Sequence, residues 1–160
     1  MRLVCPDCGG TGKTGGVLLR ASRCRRCWGR GWLEEPVVIN IRAAPDDWRD
    51  RPDHIYIGRV HRSPTFGSIP RSVWANPFHG DRVEAIEHYR ELLRASPEML
   101  GALPSLGGMT LVCWCRPRPC HGDALVEAYR EHVIRPNASD RRDQEPLCDG
   151  TSHESVRNSE

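Results

Sequence analysis

Apolar residues along this chain fall into short runs and helical stripes, separated by breaks rich in proline and glycine. Val37-Val38-Ile39-Asn40-Ile41 and His54-Ile55-Tyr56-Ile57-Gly58 are dominated by β-branched and aromatic residues, which predicts two strands. Thr110-Leu111-Val112-Cys113-Trp114-Cys115 is a continuous apolar run of strand length, the pattern of a strand buried on both faces. It stops at Arg116-Pro117-Arg118-Pro119, because neither proline can donate to a ladder. Helical spacing begins at Asp81, a plausible N-cap, where Val83, Ile86, Tyr89, Leu92 and Leu93 make one apolar face. A second, short helix is expected from Ser96 and Pro97, the cap and first-turn residues, through Leu103. A third is expected from Ala124, with Leu125, Val126, Tyr129 and Val133 on one face, ending before Arg135-Pro136.

Strands alternating with helices predict an α/β fold with a small, mainly parallel sheet and flanking helices. Arg59 to Gly80 reads as one long irregular loop, of a length that is usually functional. Residues 136–160 are polar and poor in apolar side chains, which predicts a disordered tail. Glu34-Glu35-Pro36 reads as a hinge, so the expected organisation is a module at 1–36, an α/β domain at 37–135 and the tail.

Composition narrows the chemistry. A net charge of +2 gives no global attraction to nucleic acid or anionic membranes, so any such attraction is local. No stretch approaches the roughly 18 apolar residues of a membrane span, and the expectation is a cytoplasmic protein. Eight cysteines in a reducing compartment argue for metal binding or thiol chemistry rather than disulfides.

Four of those cysteines are spaced C-x2-C-x15-C-x2-C: Cys5, Cys8, Cys24 and Cys27. Two chelating pairs of this spacing complete a tetrahedral four-thiolate shell, and zinc is the expected cofactor. Each pair continues alike, through Cys8-Gly9-Gly10-Thr11-Gly12 and Cys27-Trp28-Gly29-Arg30-Gly31, giving two copies of C-x-x-C-x-G-x-G. The repeat resembles the cysteine-rich zinc module of the DnaJ co-chaperones, which implies one zinc ion on the four thiolates. No His-Pro-Asp signature of a J-domain precedes it, so co-chaperone activity is not implied. Arg20, Arg23, Arg25, Arg26 and Arg30 lie among Trp28 and Trp32, a pairing suited to single-stranded nucleic acid. The competing expectation is that both tryptophans pack the module onto its neighbour while the arginines are solvated.

From residue 54 to about 131 the chain resembles a bacterial and phage family known as domain of unknown function 4326. The residues that carry the resemblance are Ile55-Tyr56-Ile57-Gly58-Arg59, Asn76-Pro77-Phe78, the helix from Asp81, and Cys113-Trp114-Cys115-Arg116-Pro117 running to Cys120-His121-Gly122-Asp123. It implies a site around these residues and no particular reaction.

Three readings of that site stand side by side. In the first, Cys120, His121 and Asp123 are catalytic. A helix N-terminus favours a thiolate, His54 or His61 is an alternative base, and Asp123 either caps the helix or accepts a proton. Arg59, Asn76, Cys113, Cys115 and Arg116 then bind the ligand, with Arg118 also able to hold a phosphate or carboxylate. In the second, Cys113, Cys115, Cys120 and His121 hold a metal. In the third they are core residues. The first leads: a small enzyme acting on a nucleotide, nucleobase or nucleic acid, with the zinc module recruiting substrate. The rival is a zinc-binding adaptor for nucleic acid or protein.

Overall fold

A computed structural model describes residues 2–15 and 21–135. The expected disorder of the tail, and the placement of Arg20, lie outside the described residues. The N-terminal module is two small antiparallel ribbons: β1 (Leu3–Val4) pairs with β4 (Trp32–Leu33), and β2 (Lys13–Thr14) pairs with β3 (Ser22–Arg23). The body is a three-stranded parallel sheet of β5 (Val37–Asn40), β6 (His54–Tyr56) and β9 (Thr110–Cys113). Its order is β5-β9-β6, so the strand that comes last in the chain lies in the middle. Between β6 and β9 run the hairpin β7 (His61–Ser63) and β8 (Gly67–Ile69), then α1 (Arg82–Ala95) and α2 (Pro97–Ala102). Helix α3 (His121–Tyr129) follows β9 and widens into a π-helical turn at Arg130–Ile134.

The central position of β9 explains its unbroken apolar run. Leu111 and Cys113 point into a core with Tyr89, Leu93, Leu125 and Tyr129, where α1 and α3 cover one face of the sheet. Val112 points to the other face, into a second cluster with Ile41, Trp48, Tyr56 and Ile69. That face is covered by the β5–β6 connection and by the β7–β8 hairpin, not by helices. Burial on both sides removes the polar-out alternation that a half-exposed strand shows.

Helix starts follow local capping. Asp81 accepts from the backbone N–H groups of Val83 (2.8 Å) and Glu84 (3.1 Å), and Ser96 accepts from Met99 N–H (3.4 Å) with Pro97 in the first turn. The expectation for α3 needs correction: it begins at His121, not at Ala124. Cys120 takes the cap position usually held by serine or aspartate, its sulfur accepting from Gly122 N–H at 3.3 Å. Asp123 reaches back to Cys120 N–H at 3.2 Å, which completes a capping box and brings Cys120 and His121 into the helix terminus. The expected irregular loop is corrected too, since its first part is the β7–β8 hairpin. His61-Arg62-Ser63 carries no apolar alternation, so the hairpin had no hydrophobic signature.

The expected hinge is tied down. Glu34 O accepts from Gly108 N–H at 2.8 Å, the Glu34 carboxylate pairs with Arg2 at 2.9 Å, and Glu35 takes both arms of Arg130 at 2.9 and 2.7 Å. Arginines also dock the module. Arg26 donates to the carbonyls of Val133 (2.9 Å) and Ile134 (3.0 Å), at the negative end of the α3 helical segment, while Arg30 donates to Pro104 O at 2.7 Å. Trp28 and Trp32 stay 42% and 41% exposed, against the expectation that they pack the module onto its neighbour. Of the arginines expected to be solvated, Arg23 and Arg25 are exposed while Arg26 and Arg30 are docked.

Candidate functional site

Within the N-terminal module the sulfurs of Cys5, Cys8, Cys24 and Cys27 all lie within 4.8 Å of one another, with Cys5 3.8 Å from Cys24 and Cys8 3.7 Å from Cys27. The two repeats are built alike. Gly12 N–H donates to Cys8 Sγ and Gly31 N–H to Cys27 Sγ, each at 3.3 Å, while Cys5 N–H donates to Gly31 O and Cys24 N–H to Gly12 O at 3.0 and 2.9 Å. Both glycines have positive φ, +72° and +84°. A Cβ on Gly12 would lie 2.2 Å from Gly29 O, and one on Gly31 would lie 2.2 Å from Gly10 O, so the repeats pack backbone against backbone. Burial pushes the Cys5 thiol up to about 12, whereas at Cys8 the N–H groups of Gly12 and Gly10 outweigh burial and bring it down to about 7. Four converging sulfurs with N–H donors aimed at two of them suit a closed four-thiolate shell, and the cluster could hold a metal ion.

The second cluster lies at the carboxyl end of β9, opposite the module. Cys113 Sγ is 3.5 Å from Cys115 Sγ and 3.9 Å from His121 Nδ1, and the four donor atoms of Cys113, Cys115, Cys120 and His121 all lie within 4.8 Å of one another. His121 Nε2 is 2.8 Å from the carbonyl of Ile57, which can only accept, so that nitrogen carries the proton. In the neutral ring this leaves the Nδ1 lone pair facing the sulfurs. Tyr89 packs edge-on against the same ring at 5.3 Å, and its hydroxyl donates to Trp74 O at 2.7 Å. The Cys113 thiol, with help from Cys120 and His121, holds Cys115 far below the ordinary thiol range, while neighbouring Cys113 and Cys115 drive Cys120 far above it. Burial opposes protonation of His121, but the Cys113 and Cys115 sulfurs outweigh it and raise the imidazole to about 9. Gly122 lets this helix start approach the sheet, since a Cβ there would sit 2.9 Å from both Ile57 and Val38 side-chain carbons.

Beside this cluster opens a cleft of about 670 Å³, at the carboxyl ends of β6 and β9. Cys113, Cys115 and His121 lie in its floor, and Cys120 is not among the lining residues. Arg59, Arg82, His61 and His79 line it, and no described lining residue is an aspartate or glutamate. Arg59 is largely engaged: Nε donates to Asn76 O at 2.7 Å, Nη2 donates to Phe78 O, and Nη1 lies 2.9 Å from His79 Nδ1. Buried Asn76 bridges Ala85 O and Phe78 N–H, each at 2.8 Å, fastening the Asn-Pro-Phe turn to α1. Asp123 pairs with Arg116 as well as capping α3. Arg118 is exposed and does not line the cleft. His54 begins β6, at the amino end of the strands and away from the cleft, 2.9 Å from Asp53. His61 lines the cleft and stacks on Trp114 with ring centres 4.2 Å apart.

Several contributors were not visible in sequence. Asn40, at the end of β5, donates to the carbonyls of Trp114 and Arg116 and so holds the turn after β9, which includes a cis Arg116–Pro117 peptide. Its signal is a polar residue closing an otherwise apolar strand. Arg82 donates to Pro119 O at 3.3 Å across the cleft mouth. The Ile57 carbonyl has no side-chain signature at all.

These features define a small parallel α/β protein with two cysteine-based clusters, one in an N-terminal module and one under a basic cleft. The chain belongs to the family described as domain of unknown function (DUF4326), which it matches over residues 39–131. It is 32% identical over 93 residues to the uncharacterized 12.4 kDa protein in the nrdA-td intergenic region of Enterobacteria phage T4, covering 56% of this chain and 77% of that one. The family match includes the second cluster and the cleft and leaves the four-cysteine module outside. No solved structure matches the chain. No helix among the described residues is long and apolar enough to cross a membrane.

Proposed function

We propose that this protein is a small zinc-containing enzyme whose cleft binds a nucleotide or the phosphorylated end of a nucleic acid. The observation that supports it best is the sign and place of the cleft. It opens beyond the carboxyl ends of parallel strands, where α/β proteins bind ligands, and its described lining holds arginine and histidine but no aspartate or glutamate. Arg82 is the guanidinium there with the fewest protein partners, a single 3.3 Å contact to Pro119 O, so it is the first group to offer a phosphate. His61 and His79 are the side chains in the walls suited to proton transfer. In the module, Cys5, Cys8, Cys24 and Cys27 hold zinc, the ion that suits a closed four-thiolate shell, in the manner of the DnaJ-type repeat. Calorimetric titration of the full chain with mononucleotides and 5′-phosphorylated trinucleotides tests the cleft. Binding that weakens about tenfold or more in Arg82→Ala is expected. Absence of binding, or binding indifferent to Arg82→Ala and His79→Ala, would overturn the reading.

One observation favours the adaptor as a second reading. Trp28 and Trp32 are exposed, with the guanidinium groups of Arg23 and Arg2 over their rings at 5.4 and 5.3 Å. Trp28 has a φ of 53°, in a region costly for a bulky residue, where the first repeat has Gly9. Such a pair suits stacking of unpaired bases. On this reading Trp28→Ala and Trp32→Ala abolish binding of single-stranded oligonucleotides and leave mononucleotide binding intact. Equal oligonucleotide affinity in both variants would remove it.

A further inference from the structure

We infer that Cys113, Cys115, Cys120 and His121 form a second four-coordinate metal centre, a closed site of three thiolates and one imidazole that fastens the end of β9 to the first turn of α3. The inference rests on geometry that is independent of any ligand in the cleft. Four soft or borderline donors, the set that selects a tetrahedral ion of the zinc type, converge within 4.8 Å. Two features of the fold remove the difficulty of aiming neighbouring residues at one ion. Cys120 is extended, with φ −129° and ψ 139°, and His121 is the first helical residue, so their side chains leave a bend and not a straight segment. Cys113 and Cys115 are two apart at a strand end, which brings their sulfurs to one side.

The imidazole is also held as metal-binding histidines are held. Its Nε2–H is fixed on the Ile57 carbonyl at 2.8 Å, which sets the tautomer and turns Nδ1 to the sulfurs. Nothing about core packing asks for that arrangement, since an apolar side chain would fill the same space without a buried polar ring needing a partner. A thiol nucleophile fits the surroundings less well. Cys120 is almost wholly buried, outside the lining of the cleft, and its sulfur already accepts from Gly122 N–H. On loading, the three thiols give up their protons to solvent and the imidazole binds neutral, so that three thiolates and a divalent ion leave the whole centre with one net negative charge. All four positions being filled by the protein, the centre is structural, and it sets the floor of the cleft.

Zinc-edge X-ray absorption on the full wild-type chain, loaded with zinc and freed of loose ions by gel filtration, tests the inference without a variant. Two ions per chain and an average shell of seven sulfurs to one nitrogen are expected, because one centre is all sulfur and the other mixed. One ion per chain with an all-sulfur shell would overturn it. A second arm uses Cys115→Ser and Cys24→Ser, in which elemental analysis is expected to find the ion lost from one centre and kept at the other. An unchanged zinc content in Cys115→Ser, with its remaining sulfurs freely alkylated, would also overturn it. Neither arm involves a nucleotide, so failure here is distinct from failure of the cleft reading.

Discussion

The two cysteine clusters reach the same end by different means. In both, four donor atoms lie within 4.8 Å and three of the four residues are buried. In the N-terminal module the donors are aimed by glycine turns, with Gly12 and Gly31 giving N–H groups to sulfur and each packed on the other repeat's backbone. At the end of β9 no such turns exist. There a strand terminus, a helix cap and the Ile57 carbonyl aim the donors, and the glycine that matters, Gly122, serves helix-to-sheet approach. The first cluster is therefore a local device that organises a segment with little core of its own. The second depends on a fold already assembled around it, with Tyr89 edge-on to His121 and Leu125 in the main core, which Cys5, Cys24 and Cys27 join from the module side. A metal ion should accordingly carry most of the folding of the module but only part of the stability of the α/β body.

That contrast orders the expected effects. Removing metal with a strong chelator, or replacing Cys24 and Cys27 together by serine, should unfold the module, since structural zinc contributes on the order of 10 kcal/mol to such small units. Circular dichroism and limited proteolysis between residues 5 and 33 are the checks, with the α/β body expected to remain folded at a lower midpoint. Gly12→Ala comes next. It combines positive φ with a Cβ contact of 2.2 Å to a backbone carbonyl, and it should weaken zinc retention in the module in competition with a chromophoric chelator. His121→Ala removes a donor and strands the Ile57 carbonyl, a loss of about 2–4 kcal/mol in denaturant unfolding. Gly122→Ala should cost about 1–3 kcal/mol, because its contacts are side-chain carbons of Val38 and Ile57 that can shift.

The smallest effect is at the junction. Arg130 holds the Glu35 carboxyl below its ordinary value, so the pair stabilises the fold above the unfolded carboxyl pKa. That contribution is lost as pH falls through the lowered folded value. Being half-exposed, it is worth about 0.5 kcal/mol, and Glu35→Gln should differ from wild type by that much at neutral pH and by nothing in acid. An equal difference at both pH values would mean that the junction is held by something other than this charge pair.

How much of this was legible in the chain depends on how local each signal is. The C-x2-C pairs, the caps at Asp81 and Ser96 and the three strands rest on residues within a few positions of one another, and the structure has them where the pattern puts them. The parallel arrangement follows from helices between strands. The start of α3 lies three residues before the position its apolar pattern predicts, because Cys120 is an unusual cap and thiols are weak acceptors. The hairpin at His61–Ile69 has no apolar signature because its inward side is supplied mainly by Ile69, with Phe66 closing it from the turn and Trp114 from just beyond β9. The roles of Arg26 and Arg30 were invisible, since their partners are backbone carbonyls 74 to 108 residues away. For the second cluster, convergence on one ion is only one of three readings the chain allows, because what aims the donors, Ile57, Asn40 and the bend at Cys120, belongs to the assembled fold.

One consequence concerns reactivity. With Cys5, Cys8, Cys24, Cys27, Cys113, Cys115 and Cys120 as metal ligands, these seven thiols should be protected from a colorimetric reagent in the zinc-loaded native chain and should react after chelation in denaturant.

The pairing of the two centres is tested most directly by native mass spectrometry of the zinc-loaded full chain against the same sample denatured in acid. Since each divalent ion replaces two protons at a given charge state, the native mass is expected to be higher by two zinc ions less two protons for each, with no species of one ion dominant. A native mass that settles at one zinc would contradict it.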